Sequence, residues 1–130
     1  MPDLEIRNPS ATADIRVLSQ SERVETDEDG KPVRDWQSPV PKTCVTPMNV
    51  AHVPIYEKQR LVLETSSQDD VHLGVSNPSL TNTIKILVHS KKGGSTPLGF
   101  IAPTRNGIPA EGINVTLNAK QSVIVQMMPQ

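Results

Sequence analysis

Apolar and polar residues alternate along much of this chain, in short runs separated by Pro, Gly, Asn and Ser. Leu61 and Leu63, Val123 and Val125, and Ile84, Ile86 and Val88 stand two residues apart, the period at which a β-strand turns side chains to one face. The pattern predicts strands over 3–7, 14–20, 22–26, 31–36, 43–46, 49–56, 60–65, 71–76, 83–89, 98–102, 113–117 and 122–128. A strand about every ten residues is the spacing of sandwiches and jelly rolls. The expected fold class is therefore all-β, a single β-sandwich or jelly-roll-like domain over 1–130. A helix over 10–26 is the competing reading, because Ala11, Ile15 and Leu18 also fall at helical spacing.

The pattern is doubled. Ile6-Arg7-Asn8-Pro9-Ser10, followed by Ile15-Arg16-Val17-Leu18, lies beside Val75-Ser76-Asn77-Pro78-Ser79, followed by Ile84-Lys85-Ile86-Leu87, at an offset of 69. Further on, Val53 to Glu64 aligns with Val115 to Gln126 at an offset of 62, through the shared Lys-Gln pairs 58–59 and 120–121. Two half-motifs are expected, about 4–65 and 71–128, with about seven extra residues in the first near Asp27-Glu28-Asp29-Gly30. Pro restricts the residue before it to extended backbone, and Asn and Ser side chains bond nearby main chain, so Asn-Pro-Ser reads as a strand exit and turn. Asn118-Ala119-Lys120-Gln121 reads as a four-residue hairpin connection. Val24 to Thr26 and Lys31 to Val33 read as a hairpin around Asp29-Gly30, with Pro32 placing the second arm at a sheet edge.

Composition agrees. Val and Ile number 23 against 19 for Leu, Ala and Met together, and 12 Pro and 7 Gly leave few stretches for long helices. A chain of 130 residues is long enough for one core, not for two independent ones. Thirteen basic and fourteen acidic residues are interspersed, which gives no basic footprint for nucleic acid. The first residues lack the basic and apolar regions of a secretory signal, and the apolar runs are too short to cross a membrane as helices. The single Cys44 has no partner for a disulfide and no neighbour in sequence that would activate it.

Reaction chemistry is hard to assemble from these spacings. His52, His72 and His89 are the candidate metal ligands: a hairpin joining 71–76 to 83–89 would set His72 and His89 together on the face opposite Val71, Leu73, Ile84 and Ile86, with Asp69 or Asp70 as a third ligand. No fixed spacing such as His-x-His accompanies them, and exposed His on strands is ordinary. Asp27-Glu28-Asp29-Gly30 is short of ligands for calcium and reads as a solvated hairpin tip. Ser90-Lys91-Lys92-Gly93-Gly94-Ser95-Thr96 has the residue types of a phosphate loop in the wrong order. Asn114-Val115-Thr116 matches a glycosylation sequon by chance. No acid-base pair or nucleophilic triad takes shape, so neither an enzyme, a resident metal nor a cofactor is expected. Three aromatic residues, Trp36, Tyr56 and Phe100, are too few for a stacking platform.

Leu4-Glu5-Ile6-Arg7-Asn8-Pro9-Ser10, its echo at Asn77-Pro78-Ser79, and the closing run from Ile113 to Val125 resemble segments of the small β-sandwich decoration or cement proteins of tailed-bacteriophage capsids. The likeness covers about a third of the chain, and the scarcity of core aromatics departs from it. It implies a protein made in the host cytoplasm and carried on the virion surface. There it would bind the major capsid protein and its own copies as a dimer or trimer across capsomer junctions. It transfers no functional residue. The expected contact elements are the N-terminal segment 1–10 as an extended arm with Leu4 and Ile6, the hairpin 24–35 with Trp36, and the loop 91–100 with Phe100. The alternative is a binding module for a host protein, glycan or small ligand, with the His72 and His89 face as its site.

Overall fold

A computed structural model describes residues 3–128. Eleven strands form: β1 (Asp3–Asn8), β2 (Ile15–Thr26), β3 (Pro32–Trp36), β4 (Val40–Val45), β5 (Asn49–Pro54), β6 (Gln59–Glu64), β7 (Val71–Ser76), β8 (Ile84–Ser90), β9 (Ser95–Ile101), β10 (Ile113–Leu117) and β11 (Gln121–Met127). No helix occurs among the described residues. The 10–26 segment resolves in favour of β: Ile15, Val17 and Ser19 are buried while Arg16 is exposed, a period of two.

All pairs are antiparallel, and the strands form a β-sandwich of two sheets. The smaller runs β10-β7-β1-β5; the larger runs β3-β2-β6-β11-β8-β9, with β4 also on β2. β2 is long enough to serve two partners, β4 along Ile15–Ser19 and β3 along Glu22–Thr26. Between the sheets lies a core of Val, Ile and Leu. Leu4, Ile6, Leu73, Val75 and Leu117 come from the smaller sheet, and Ile15, Val17, Leu63, Ile84, Ile86, Val123 and Val125 from the larger. No aromatic ring belongs to it.

The sheet topology is a two-fold repeat. β1 pairs β5 as β7 pairs β10, β2 pairs β6 as β8 pairs β11, and β2 pairs β4 as β8 pairs β9. The halves meet at two seams, β1 with β7 and β6 with β11. At each seam a residue pairs with its own counterpart: Ile6 with Val75, and Val62 with Ile124. A pseudo-two-fold axis therefore passes through both pairs. Even the irregularities repeat: the ladder slips between Val17 and Leu18 opposite Pro41, and between Ile86 and Leu87 opposite Pro97. The offset between halves is 69 at Leu18 and Leu87 but 56 at Pro41 and Pro97. Thirteen residues are therefore inserted between Leu18 and Pro41, which accounts for most of the β2–β3 hairpin from Glu22 to Trp36. The second half regains six in the loop before β10, so the net excess is the seven residues apparent in the sequence.

The Asn-Pro-Ser segments mark where the chain leaves one sheet for the other, and each is clamped by a buried amide. Asn8 Nδ2 donates to the Ala13 and Val45 carbonyls at 2.8 and 2.9 Å. Asn77 Nδ2 donates to those of Asn82 and Ile101 at 2.8 and 2.9 Å. Each Oδ1 accepts the N–H of the Ser two residues on, at 3.1 Å, and each Ser Oγ accepts from the following turn, at Ala13 and Asn82. Asn8 and Asn77 are buried, so these bonds satisfy main-chain carbonyls that water does not reach.

Three expectations are corrected here. Segment 1–10 is no arm: β1 lies between β7 and β5, and Leu4 and Ile6 are 1% and 0% exposed in the core, where neither reaches a partner. Met1 and Pro2 of that segment lie outside the described residues. The 71–76 and 83–89 strands form no hairpin, because the Asn77 clamp carries the chain from the smaller sheet to the larger. Asn118 to Gln121 is likewise a turn between sheets, closed by Gln121 N–H donating to the Asn118 carbonyl. The β2–β3 hairpin does form, with Gly30 at φ 77° in its turn and Pro32 on an edge strand.

Replacing Asn8 or Asn77 by Ala strips two buried carbonyls of their donor. Each change is expected to lower stability by about 2–4 kcal/mol. Asn114→Ala, at an exposed site, should stay within about 0.5 kcal/mol. Urea unfolding of the three variants checks this; equal midpoints would remove the clamp from the account.

Candidate interaction site

The histidines do not converge. His72 points outward from the smaller sheet beside Thr116 Oγ1 at 3.3 Å, and His89 outward from the larger beside Ser95 Oγ at 3.0 Å. They occupy opposite outer faces, which removes both the metal set and the binding face expected of them. His52 approaches Glu5 at 3.5 Å, and Asp70 accepts a hydrogen bond from Asn118. Among the described residues no three His, Cys, Asp or Glu side chains are grouped to hold a metal ion.

Trp36 stands out among the surface side chains of the larger sheet. The inserted hairpin carries it over the outer face of the larger sheet, where the Arg60 guanidinium lies 4.4 Å from its ring centroid. Burial pushes the Arg60 pKa down from its ordinary value, yet a guanidinium remains charged at neutral pH. Arg60 Nε donates to Gln20 Oε1 at 2.7 Å, which holds the guanidinium plane in place. The stack is worth about 1 kcal/mol. Beside Trp36 opens a cavity of about 330 Å³, lined by Trp36, Met127 and Met128 and by six polar or charged residues, Glu22, Arg34 and Lys58 among them. Glu22 is held by Arg34 Nε at 3.5 Å, and its N–H donates to the Lys58 carbonyl at 2.7 Å. Lys58 itself sits at φ 61°, a conformation that costs a non-Gly residue of order 1 kcal/mol.

Phe100 stands at the opposite edge of the same sheet, 60% exposed on β9. Its counterpart in the first half is Cys44, as both lie one residue before the buried ends of β4 and β9 at Val45 and Ile101. Leu98, at the bulge, is also exposed. Of the four contact residues expected from sequence, the structure leaves Trp36 half-buried and Phe100 exposed and encloses Leu4 and Ile6. Met127, Met128 and Glu22 were not foreseen as companions of Trp36. Their approach depends on sheet order, which no local pattern carries.

Cys44 is exposed and unpaired. Partial burial, and then the nearby Asp14 carboxylate, push its thiol pKa above the ordinary value, with Arg16 opposing. Less thiolate is therefore present at neutral pH than in a free cysteine. Alkylation by iodoacetamide should be slower than for a peptide thiol at pH 7 and should accelerate as pH rises, with Asp14→Asn shifting the profile to lower pH. A profile unmoved by that substitution would reject the electrostatic part. A scan against protein-family models finds no match to this chain, and neither do searches of curated proteins and of solved structures.

Proposed function

We propose that this chain is a structural virion protein, a decoration or cement protein that binds the outside of a phage head and stabilises capsomer junctions. Its partners would be the major capsid protein and further copies of itself. One observation carries the reading: among the described residues, five of the ten exposed large apolar side chains, Val24, Val33, Val40, Leu98 and Phe100, stand on the hairpin and edge strands of the larger sheet, while the others lie on the β5 edge at Val50 and in connections at Met48, Tyr56, Leu80 and Ile108. The outer face of the smaller sheet carries mainly polar side chains, Glu5, Arg7, His52, His72, Asn114 and Thr116, with Val50 at its β5 edge. Apolar groups at sheet edges suit lateral contact with other proteins, and many modest contacts on a symmetric shell add through multivalency. The edge strands of the larger sheet give Val45 and Ile101 to the core and leave Val40, Leu98 and Phe100 outside it.

The test is co-sedimentation of the purified protein with intact heads of the phage that carries its gene. Binding should saturate at a fixed number of copies per capsomer, and Val40→Asp, at an exposed edge position, should reduce occupancy about tenfold or more while the far-UV spectrum is unchanged. Protein left wholly in the supernatant, or binding that never saturates, would reject the reading.

A further inference from the structure

The two halves of this fold share their strand pairing and differ in the longer loop before β10 and at the two edges of the larger sheet. On one edge the inserted hairpin creates the Trp36 cavity; on the other, Phe100 replaces the small Cys44 as an exposed knob. The edges are also opposite in charge. From Glu22 to Trp36 there are six acids and three bases, net −3; from Ile84 to Ile101 there are Lys85, Lys91 and Lys92 with no acid, net +3. The cavity reaches from Trp36 to β11, whose Gln126 stands two strand spacings, about 10 Å, from Phe100 across β8; Phe100 is 60% exposed and does not line it, so one chain leaves its own cavity unfilled by its own knob.

We propose that a second copy of this chain is the occupant: Phe100 of one copy enters the Trp36 cavity of the next, and the basic β8–β9 edge lies along the acidic β2–β3 hairpin. A cavity of about 330 Å³ that presents Trp36, Met127 and Met128 among otherwise polar walls is large enough for one aromatic ring, and thioethers adapt readily to its shape. Backbone pairing between edges is disfavoured, because β9 carries Pro97 and a bulge at Leu98, and β4 carries Pro41 at the matching slip. Recognition therefore runs through the knob, the cavity and the charge. The contact is heterologous, with different surfaces on the two partners, so it propagates head to tail and either closes into a ring or extends. It does not depend on which surface the protein coats.

Light scattering on the full chain after size exclusion tests this. At low salt the wild type should pass beyond a dimer as concentration rises to about 1 mM, and should dissociate at about 1 M salt. Phe100→Ala and Trp36→Ala should each be monomeric, with association weakened about 30-fold or more, and circular dichroism should confirm that both remain folded. An equimolar mixture of the two variants should stop at a one-to-one dimer, since only one intact knob and one intact cavity remain. Trp36 emission in the wild type should shift to shorter wavelength on assembly. A monomeric wild type at about 1 mM, a Phe100→Ala protein that assembles like wild type, or a Trp36→Ala protein that dimerises alone through like edges would each overturn the proposal. Lys91→Glu with Lys92→Glu, at exposed sites outside the core, gives an independent variant: unchanged assembly at low salt would also overturn it.

Discussion

Two buried carboxamides govern this fold. Wherever the chain leaves β1 or β7 it must cross from one sheet to the other, and the carbonyls at the crossing are sealed from water by the core on one side and strand ends on the other. Asn8 and Asn77 answer that constraint in the same way: each donates both to the turn that follows and to the end of a distant strand, β4 or β9. The second bond fixes which strand closes the sandwich above the turn. A Ser at either position would be too short to reach both carbonyls, and an Asp would place an unpaired charge where Asn places donors. Thr104 strengthens the second clamp, its N–H donating to the Ser79 carbonyl and its hydroxyl to that of Asn77.

With both crossings fixed, the rest of the architecture follows from the seams. An antiparallel pair is itself two-fold symmetric, so two equal halves can join by pairing a strand with its own equivalent at no cost in register. Ile6 against Val75 and Val62 against Ile124 are those self-matched positions. They differ in what they face. Ile6 and Val75 point into the core, whereas Val62 and Ile124 belong to the outer surface and are still only 6% and 5% exposed. A row across the larger sheet explains it: Leu18, Val62, Ile124 and Leu87 are successive cross-strand partners, ending at Pro41 and Pro97. Neighbouring side chains shield the middle of the row, so the seam is held by apolar packing on both faces.

The fold was legible in the sequence to the extent that it was local. Period-two alternation located the strands and chose inward from outward at Leu73, Ile84 and Val125; Asn-Pro-Ser located the crossings; Asp-Gly located the hairpin. The partners of those strands were not legible. The sequence of 71–89 looks the same whether its two strands pair with each other or separate into two sheets, because alternation records which side is buried and not what buries it. That ambiguity alone created the apparent His72 and His89 site. Leu4 and Ile6 were misread for a related reason: an apolar pair near a terminus suits an arm as well as a central strand, and only the flanking ladders to β5 and β7 distinguish them. Trp36 could be singled out as a lone aromatic between polar neighbours, but that setting suits a core plug as well as an interface anchor, and only the place of the hairpin over Arg60 distinguishes them.

Both seams lie away from β3, β4 and β9, and β4 and β9 meet the core and the clamps only at their ends, through Val45 and Ile101, so changes at the outward positions of those edges leave the sandwich intact. A molecule with two identical halves would present two identical edges, and like edges recognise each other only through self-complementary contacts. Insertion of one hairpin and exchange of one small residue for Phe100 remove that degeneracy. One edge gains concavity and negative charge while the other keeps a basic, convex rim. The strain held at Lys58, on the cavity rim, has no counterpart at Lys120 in the other half. Departure from symmetry, rather than any cluster of reactive groups, therefore locates the part of this protein that the core does not require.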